Sequence, residues 1–199
     1  MKTLWDNRYR DQSYVYGKEP NGFFSAQLNQ LAPGDLLLPG EGEGRNAVYA
    51  AVNGWTVDAF DQSQSGYEKA MNLAAEKKVQ VNYQVSQLED YSFKSNHYDL
   101  VALIFFHVKS LMRKHLHQLI FNSLKPGGTL VLEAFHKEQL GRDTGGPGSL
   151  EMLFDEQTLS SDFAAFETLI LENKVISLNE GPIHQGEASV IRFLGNKPQ

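Results

Sequence analysis

The chain has 199 residues, enough for one domain with a full hydrophobic core. Its 18 basic against 24 acidic side chains leave a net charge of −6, which argues against a nucleic-acid ligand or an anionic membrane surface. It has no cysteine, which excludes disulfides, a thiolate nucleophile and a Cys-type zinc site. The N-terminus, Met1-Lys2-Thr3-Leu4-Trp5-Asp6, lacks an apolar signal core, and no window approaches the ~20 apolar residues of a membrane span. A cytoplasmic location is the expectation.

Strand and helix signals alternate along the chain, which predicts a mostly parallel sheet with helices on both faces. Residues 1–22 read as irregular and aromatic-rich. Phe23 to Leu31 predicts a helix stopped by Pro33-Gly34, and Leu36–Leu38 the first strand. Arg45 to Asn53 predicts a helix ended by Asn53-Gly54. Trp55 to Phe60 predicts the second strand, closing on Asp61; Ser65 to Lys77 a helix; Val79 to Val85 an alternating third strand. Tyr98 to Phe106 is a nearly continuous apolar run, as a central parallel strand requires. Leu111 to Leu124 predicts an amphipathic helix, on which His115 and His117 read as solvent-side. Pro126-Gly127-Gly128 reads as a turn into the strand Thr129–Phe135. The glycine-rich segment Gly141 to Ser149 is a substrate cover or an ordinary connection. A helix near Glu156–Phe163 and strands near Thr168–Ser177 and Glu187–Leu194 close the chain.

The most informative stretch is Leu36-Leu37-Leu38-Pro39-Gly40-Glu41-Gly42-Glu43-Gly44-Arg45-Asn46. An apolar strand runs into three alternate glycines and then a helix. Glycine removes the Cβ that would stop a ligand approaching the backbone, and a helix start offers N–H groups and a positive dipole end. Gly-x-Gly-x-x-Gly of dinucleotide proteins fits poorly, because Arg45 stands where a small residue is wanted; Gly-x-Gly-x-Gly fits without remainder. Asp61 lies 21 positions after Gly40, at a strand end, where a carboxylate can accept hydrogen bonds from ribose hydroxyls or cap the next helix.

The glycine pattern resembles motif I of the class I S-adenosylmethionine-dependent methyltransferases. Trp5-Asp6-Asn7-Arg8-Tyr9, the run Tyr14-Val15-Tyr16-Gly17 with Glu19-Pro20-Asn21, and Leu124-Lys125-Pro126-Gly127-Gly128 are similar to the tellurite-resistance-type (TehB-like) branch. So are Gly145-Gly146-Pro147 and the run Asn179-Glu180-Gly181-Pro182 with His184-Gln185-Gly186. The resemblance covers essentially the whole chain. It implies a Rossmann-like fold of seven strands, mostly parallel with an antiparallel last strand, in a single domain over residues 1–199. Residues 1–22 would form a lid over the cofactor, S-adenosylmethionine. Arg8 would meet the methionine carboxylate, and Trp5, Tyr9 and Tyr16 would wall the methyl-sulfonium region. Gly40, Glu41, Gly42, Gly44 and Asn46 would form the cofactor loop, Asp61 and Gln62 the ribose contacts, Gln87 and Leu88 the adenine contacts, and Phe105 a further wall. One departure stands out: Leu38 occupies the position where the family usually has an acidic residue. Glu41 and Glu43 either compensate for it or are solvated loop carboxylates.

The resemblance implies methyl transfer to a small-molecule acceptor. A thiol or a selenium or tellurium oxyanion would need no base; an alcohol or phenol would. His107, at the end of the fourth strand, is a base or a turn-shaping residue. His136 and His184 are further candidates, and Arg142 and Arg192 could help hold an anion. No grouping of side chains has metal-ligand spacing. A non-catalytic S-adenosylmethionine-binding protein and, further off, a NAD-type oxidoreductase are the rival readings. A monomer or weak homodimer is expected.

Overall fold

Leu36, Leu37, Leu100, Val101, Ala102, Leu130 and Val131 are all fully buried, so the unbroken apolar runs have become inner strands. In the computed structural model, which describes residues 2–11 and 13–199, the first elements are α1 (Lys2–Tyr9), α2 (Gly22–Leu28), β1 (Asp35–Pro39), α3 (Arg45–Val52), β2 (Thr56–Asp61), α4 (Gln64–Lys77) and β3 (Asn82–Val85). There follow β4 (Tyr98–Ile104), α5 (Ser110–Ser123), β5 (Leu124–Phe135), α6 (Glu156–Asp162), β6 (Glu167–Asn179) and β7 (Gln185–Asn196). Short 3-10 turns occur at Leu88–Asp90, Lys137–Gln139 and Leu150–Met152. The seven strands form one sheet in the order β3-β2-β1-β4-β5-β7-β6. β1, β2 and β3 pair in parallel, as do β4 and β5. β7 runs antiparallel to both of its neighbours, β5 and β6, as expected of the last strand. No helix among the described residues is long and apolar enough to cross a membrane.

Two compact units make up the chain. The first comprises residues up to Ser92 together with Glu180–Ile183, and the second Phe93–Asn179 and His184–Gln199. In the first, Val48 of α3 packs on Leu73 and Ala74 of α4, with Tyr14, Val79 and Val81 closing the cluster. In the second, Phe135, Leu153, Leu178, Ala188 and Val190 form a core joined by Phe105 and Ile176.

Local chemistry sets the element ends. Asn21 caps α2 by accepting the Phe24 N–H, and Ser63 caps α4 by accepting the Gly66 N–H. Lys78 ends α4 in the left-handed conformation, at φ +58°.

Two segments differ from their sequence expectation. The N-terminus is not irregular: Lys2–Tyr9 is helical. Its polar sequence carries no apolar stripe. What supports it is docking, because Asp6 accepts from the Ser63 hydroxyl at 2.7 Å and the Ser65 N–H at 3.4 Å, and Tyr9 is buried. Pro126-Gly127-Gly128 is also not a free turn but the opening of β5. It forms an irregularity in the register with β4, with Gly127 at φ +77°, and the C-terminal tail pins it through Gly127 N–H to Lys197 O at 2.9 Å and Lys197 N–H to Gly128 O at 2.8 Å.

Candidate functional site

The glycine loop leaves the end of β1 and enters α3 through Gly40, Gly42 and Gly44, all in the left-handed region at φ +65°, +61° and +86°. No ordinary side chain accepts three such positions at low cost. Two of the glycines are also required by the protein's own packing. A Cβ at Gly44 would lie 2.5 Å from the Ala70 Cβ, and one at Gly42 would lie 2.7 Å from the Tyr9 hydroxyl. From the other side, a Cβ at Gly66 would lie 2.9 Å from Gly42 O. Gly66 and Ala70 therefore let α4 press against the loop. Gly66 was not singled out from sequence, although a glycine inside a helix costs roughly 1 kcal/mol against alanine and so signals a close approach.

The loop carboxylates are not solvated. Glu41 is buried, accepts the Ala47 N–H at 2.7 Å and lies 3.4 Å from the Asn46 side-chain nitrogen. The start of α3 is therefore already occupied by a carboxylate of the loop itself, which corrects the expectation that its N–H groups stand free for a ligand. Asn46 is buried as well and accepts the Asn21 N–H at 2.9 Å. Glu41 and Asn46 thus form the floor of the loop. Glu43 has a side chain only 2% exposed and forms an ion pair with Lys69 at 2.7 Å. Its two oxygens also receive the N–H groups of Val15 and Tyr16, each at 3.1 Å. Glu43 ties the strap after α1 to the glycine loop.

Burial pushes Glu41 up from 4.5 to about 7, against the Ala47 hydrogen bond and the Arg45 charge. The raised value means that Glu41 favours folding while protonated, and that this contribution fades as pH rises from about 4.5 to about 7. Across that window the stability of the wild type should fall relative to Glu41→Gln, which cannot ionise. Urea unfolding of both proteins at a series of pH values checks this; a constant difference between them contradicts it.

Asp61 closes β2 beneath the loop. Its carboxylate accepts the Ser63 N–H at 2.8 Å and the Gly42 N–H at 3.3 Å, and burial raises it from 3.8 to about 6. It does not cap α4; Ser63 and Asp6 do. β3 ends alongside, with Ser86 N–H donating to Asp61 O at 2.9 Å. Gln62 is half-buried beside it, Gln87 is exposed, and Leu88 opens the 3-10 turn. The Tyr83 hydroxyl donates to Gly42 O at 2.7 Å. It is another residue missed from sequence, since the alternation of β3 gave no sign that it reached the loop. In α1, Arg8 stacks over Trp5 at 4.7 Å and donates to the Tyr16 hydroxyl of the strap at 3.1 Å. Tyr9 stacks on Trp5 at 5.6 Å and meets Tyr16 edge-on at 6.3 Å. Arg8, Tyr16, Gly40, Glu41, Gly42, Gly44, Asn46, Asp61, Gln62, Gln87 and Leu88 all belong to the first unit.

Phe105, His107, His184 and Arg142 belong to the second unit. Phe105 sits in the left-handed region, at φ +51°, a strained position for an aromatic residue. Its N–H donates to Glu133 O at 2.7 Å, and its ring packs on Phe135 at 4.6 Å and against His184 at 4.9 Å. His107 stacks on the other neighbour of that cluster, Phe135, at 5.7 Å.

Both nitrogens of His107 are engaged by backbone: Nδ1 lies 2.7 Å from Met152 O, and Nε2 accepts the Phe135 N–H at 3.2 Å. Burial lowers it to about 4, so the ring is neutral and holds the turn together; of its two expected roles, the geometry favours the shaping one. His184 is buried in the wall formed by Phe105 and Phe135. Arg142 is exposed, its Nε 3.4 Å from Glu138 O. Arg192 pairs with the buried Glu133 across β5 and β7 at 2.6 Å, so its charge is already matched. His136 caps the turn Lys137–Gln139 by accepting the Glu138 N–H.

His117 is buried rather than solvent-side. It contacts Asp162 at 3.0 Å beside Arg113 and packs on Phe163 at 4.3 Å. Helical spacing puts it on the face shared with Ser123 and Ile120, and its polar identity concealed this. The segment Gly141 to Ser149 is pinned by the buried Gln139, which donates to Thr144 Oγ1 and Gly145 O and accepts the Ser189 N–H.

Residues 37–128 match the family described as Methyltransferase domain. That match runs from β1 to the opening of β5 and takes in the glycine cradle and Asp61. It is 29% identical over 116 residues to the ubiquinone biosynthesis O-methyltransferase of Rickettsia canadensis (strain McKiel), which is 57% of this chain and 48% of that protein. The chain thus spans about half the length of that curated relative. Its fold is similar to that of TehB from Haemophilus influenzae, with a TM-score of 0.75 and 15% identity, covering 98% of this chain and 66% of the other. It is similar also to Haemonchus contortus phosphoethanolamine N-methyltransferase 2 in complex with S-adenosyl-L-methionine, with a TM-score of 0.69 and 18% identity, covering 100% and 58%.

Proposed function

We propose that the chain transfers a methyl group from S-adenosylmethionine to a small-molecule acceptor. The observation that carries this reading is the left-handed glycine cradle joined to a half-buried carboxylate, Gly42 N–H to Asp61, at the ends of adjacent parallel strands. The residues fit such a cofactor. Asp61 keeps acceptor capacity for ribose hydroxyls, Gln62, Gln87 and Leu88, after the ends of β2 and β3, are assigned the ribose edge and adenine, and Arg8 is held by Tyr16 with its guanidinium exposed for a carboxylate. Trp5, Tyr9 and Tyr16 supply aromatic faces that suit a cation and exclude water. When bound, the cofactor supplies an activated methyl group on a cationic sulfur. The protein's own task is then to align the acceptor and keep water out.

Phe105, Phe135 and His184 form an apolar wall with one polar edge in the second unit, and we assign acceptor contacts to Phe105 and His184, with Arg142 as an exposed cation for an anionic group. Because His107 spends both ring nitrogens on the backbone, soft anions that attack without a base there are favoured: thiolates and selenium or tellurium oxyanions. The test is a screen of thiols, selenite, tellurite and phenols, reading release of S-adenosylhomocysteine. Turnover with the soft acceptors is expected. Turnover with phenols alone contradicts the acceptor class. Cofactor binding without any turnover supports the non-catalytic reading.

A further inference from the structure

The motif Asn179-Glu180-Gly181-Pro182 lies next to His184 in sequence, yet Glu180–Ile183 belong to the first unit. The Glu180 carboxylate grips two parts of that unit. One oxygen receives Arg45 Nη2 at 2.7 Å, and the other receives the Asn21 side-chain nitrogen at 3.0 Å. The ion pair is shielded, with side-chain exposures of 8% and 14%. Arg45 sits at the first position of α3, directly after the glycine loop, and its Nη1 donates to the Tyr16 carbonyl at 3.2 Å. The hydroxyl of the same Tyr16 accepts from Arg8 Nη1 at 3.1 Å. An unbroken series of contacts therefore runs from Glu180 through Arg45 and Tyr16 to Arg8.

Gly181 supplies an independent sign that this turn is seated on the strap. It lies at φ +79°, and a Cβ there would fall 2.4 Å from Val15 O and 2.6 Å from Gly17 N. The backbones meet too closely for any side chain.

We propose that Glu180 is a positioning residue of the cofactor site, holding Arg8 through Arg45 and Tyr16 where the amino-acid carboxylate of the cofactor is received. This rests on the cofactor reading given above. Without the Glu180 charge, the shielded Arg45 loses its counter-charge and its place beside the strap is no longer fixed. The Tyr16 carbonyl is released, and Arg8 loses its aim. Arg8 itself is exposed and reaches the ligand; Glu180 acts only through the series.

The experiment is calorimetric titration of the full chain with S-adenosylhomocysteine, for the wild type, Glu180→Gln, Arg8→Ala and the double variant. Glu180→Gln should weaken binding by about tenfold, the worth of one hydrogen bond to a charged group. In the Arg8→Ala background the same change should cost almost nothing more, because the two residues act in series. An equal loss in both backgrounds overturns the proposal, since a merely structural role does not depend on Arg8. Tyr16→Phe cuts the series at its far end and leaves the shielded pair intact, so it tests the same route even if Glu180→Gln does not fold. A similar loss supports the proposal, and wild-type affinity in Tyr16→Phe overturns it. A wild type that does not bind overturns the cofactor reading and this inference with it; a wild type that binds alongside unaffected variants overturns this inference alone.

Discussion

Glu43→Ala should lower the free energy of unfolding by about 3–5 kcal/mol, the usual cost of leaving one half of a buried ion pair alone. Lys69 would keep its contact with Ser13 O but lose its counter-charge. The N–H groups of Val15 and Tyr16 would lose the acceptor that holds the strap, and orphaned half-buried donors add to the penalty. For a chain of this size the loss corresponds to a melting point lower by roughly 6–20 °C. Replacing the pair together, as Glu43→Leu with Lys69→Met, should recover only part of it, because the two strap N–H groups remain unanswered. Chemical denaturation of the three proteins checks both statements. A loss below about 1 kcal/mol in Glu43→Ala would mean that the pair behaves like an exposed one.

Asp61→Asn should weaken S-adenosylhomocysteine binding by on the order of 100-fold, since it removes charge-assisted acceptance from ribose hydroxyls. Asn presents one acceptor oxygen where the carboxylate presents two, and both oxygens already serve Ser63 and Gly42. The same residue makes a pH prediction. Burial holds Asp61 at about 6, so the carboxylate is lost as pH falls through that value. Affinity in the wild type should then decline below it, while Asp61→Asn stays flat over the same range. Titration calorimetry at several pH values measures both. Near-equal affinity in the two proteins would remove Asp61 from the site.

The strands were legible because a two-sided parallel sheet demands continuous apolar runs, and Leu36–Leu38 and Tyr98–Ile104 supply them. The glycine loop was legible because alternate glycines between a strand and a helix have few other uses. What escaped was whatever depends on partners distant in sequence. α1 has no apolar stripe, and its helix rests on Asp6 meeting the start of α4, 57 residues away. Glu41 and Glu43 look like solvated carboxylates in a glycine-rich loop; only the fold brings Ala47 to one and Val15, Tyr16 and Lys69 to the other. His117 looked polar and therefore outward, but Asp162 and Phe163 receive it. Glu180 and Gly181 were part of a recognised pattern whose place in the fold the pattern did not reveal. Leu38 is fully buried within β1, so it serves the core, and the acidic residues of this loop lie further along the chain.

The central claim is the identity of the cofactor, and direct titration of the purified protein with S-adenosylmethionine, S-adenosylhomocysteine and NADH tests it. The first two should bind at about micromolar dissociation constants, near −8 kcal/mol, and NADH not at all. Binding of NADH, or failure of both sulfur ligands to bind, would contradict it.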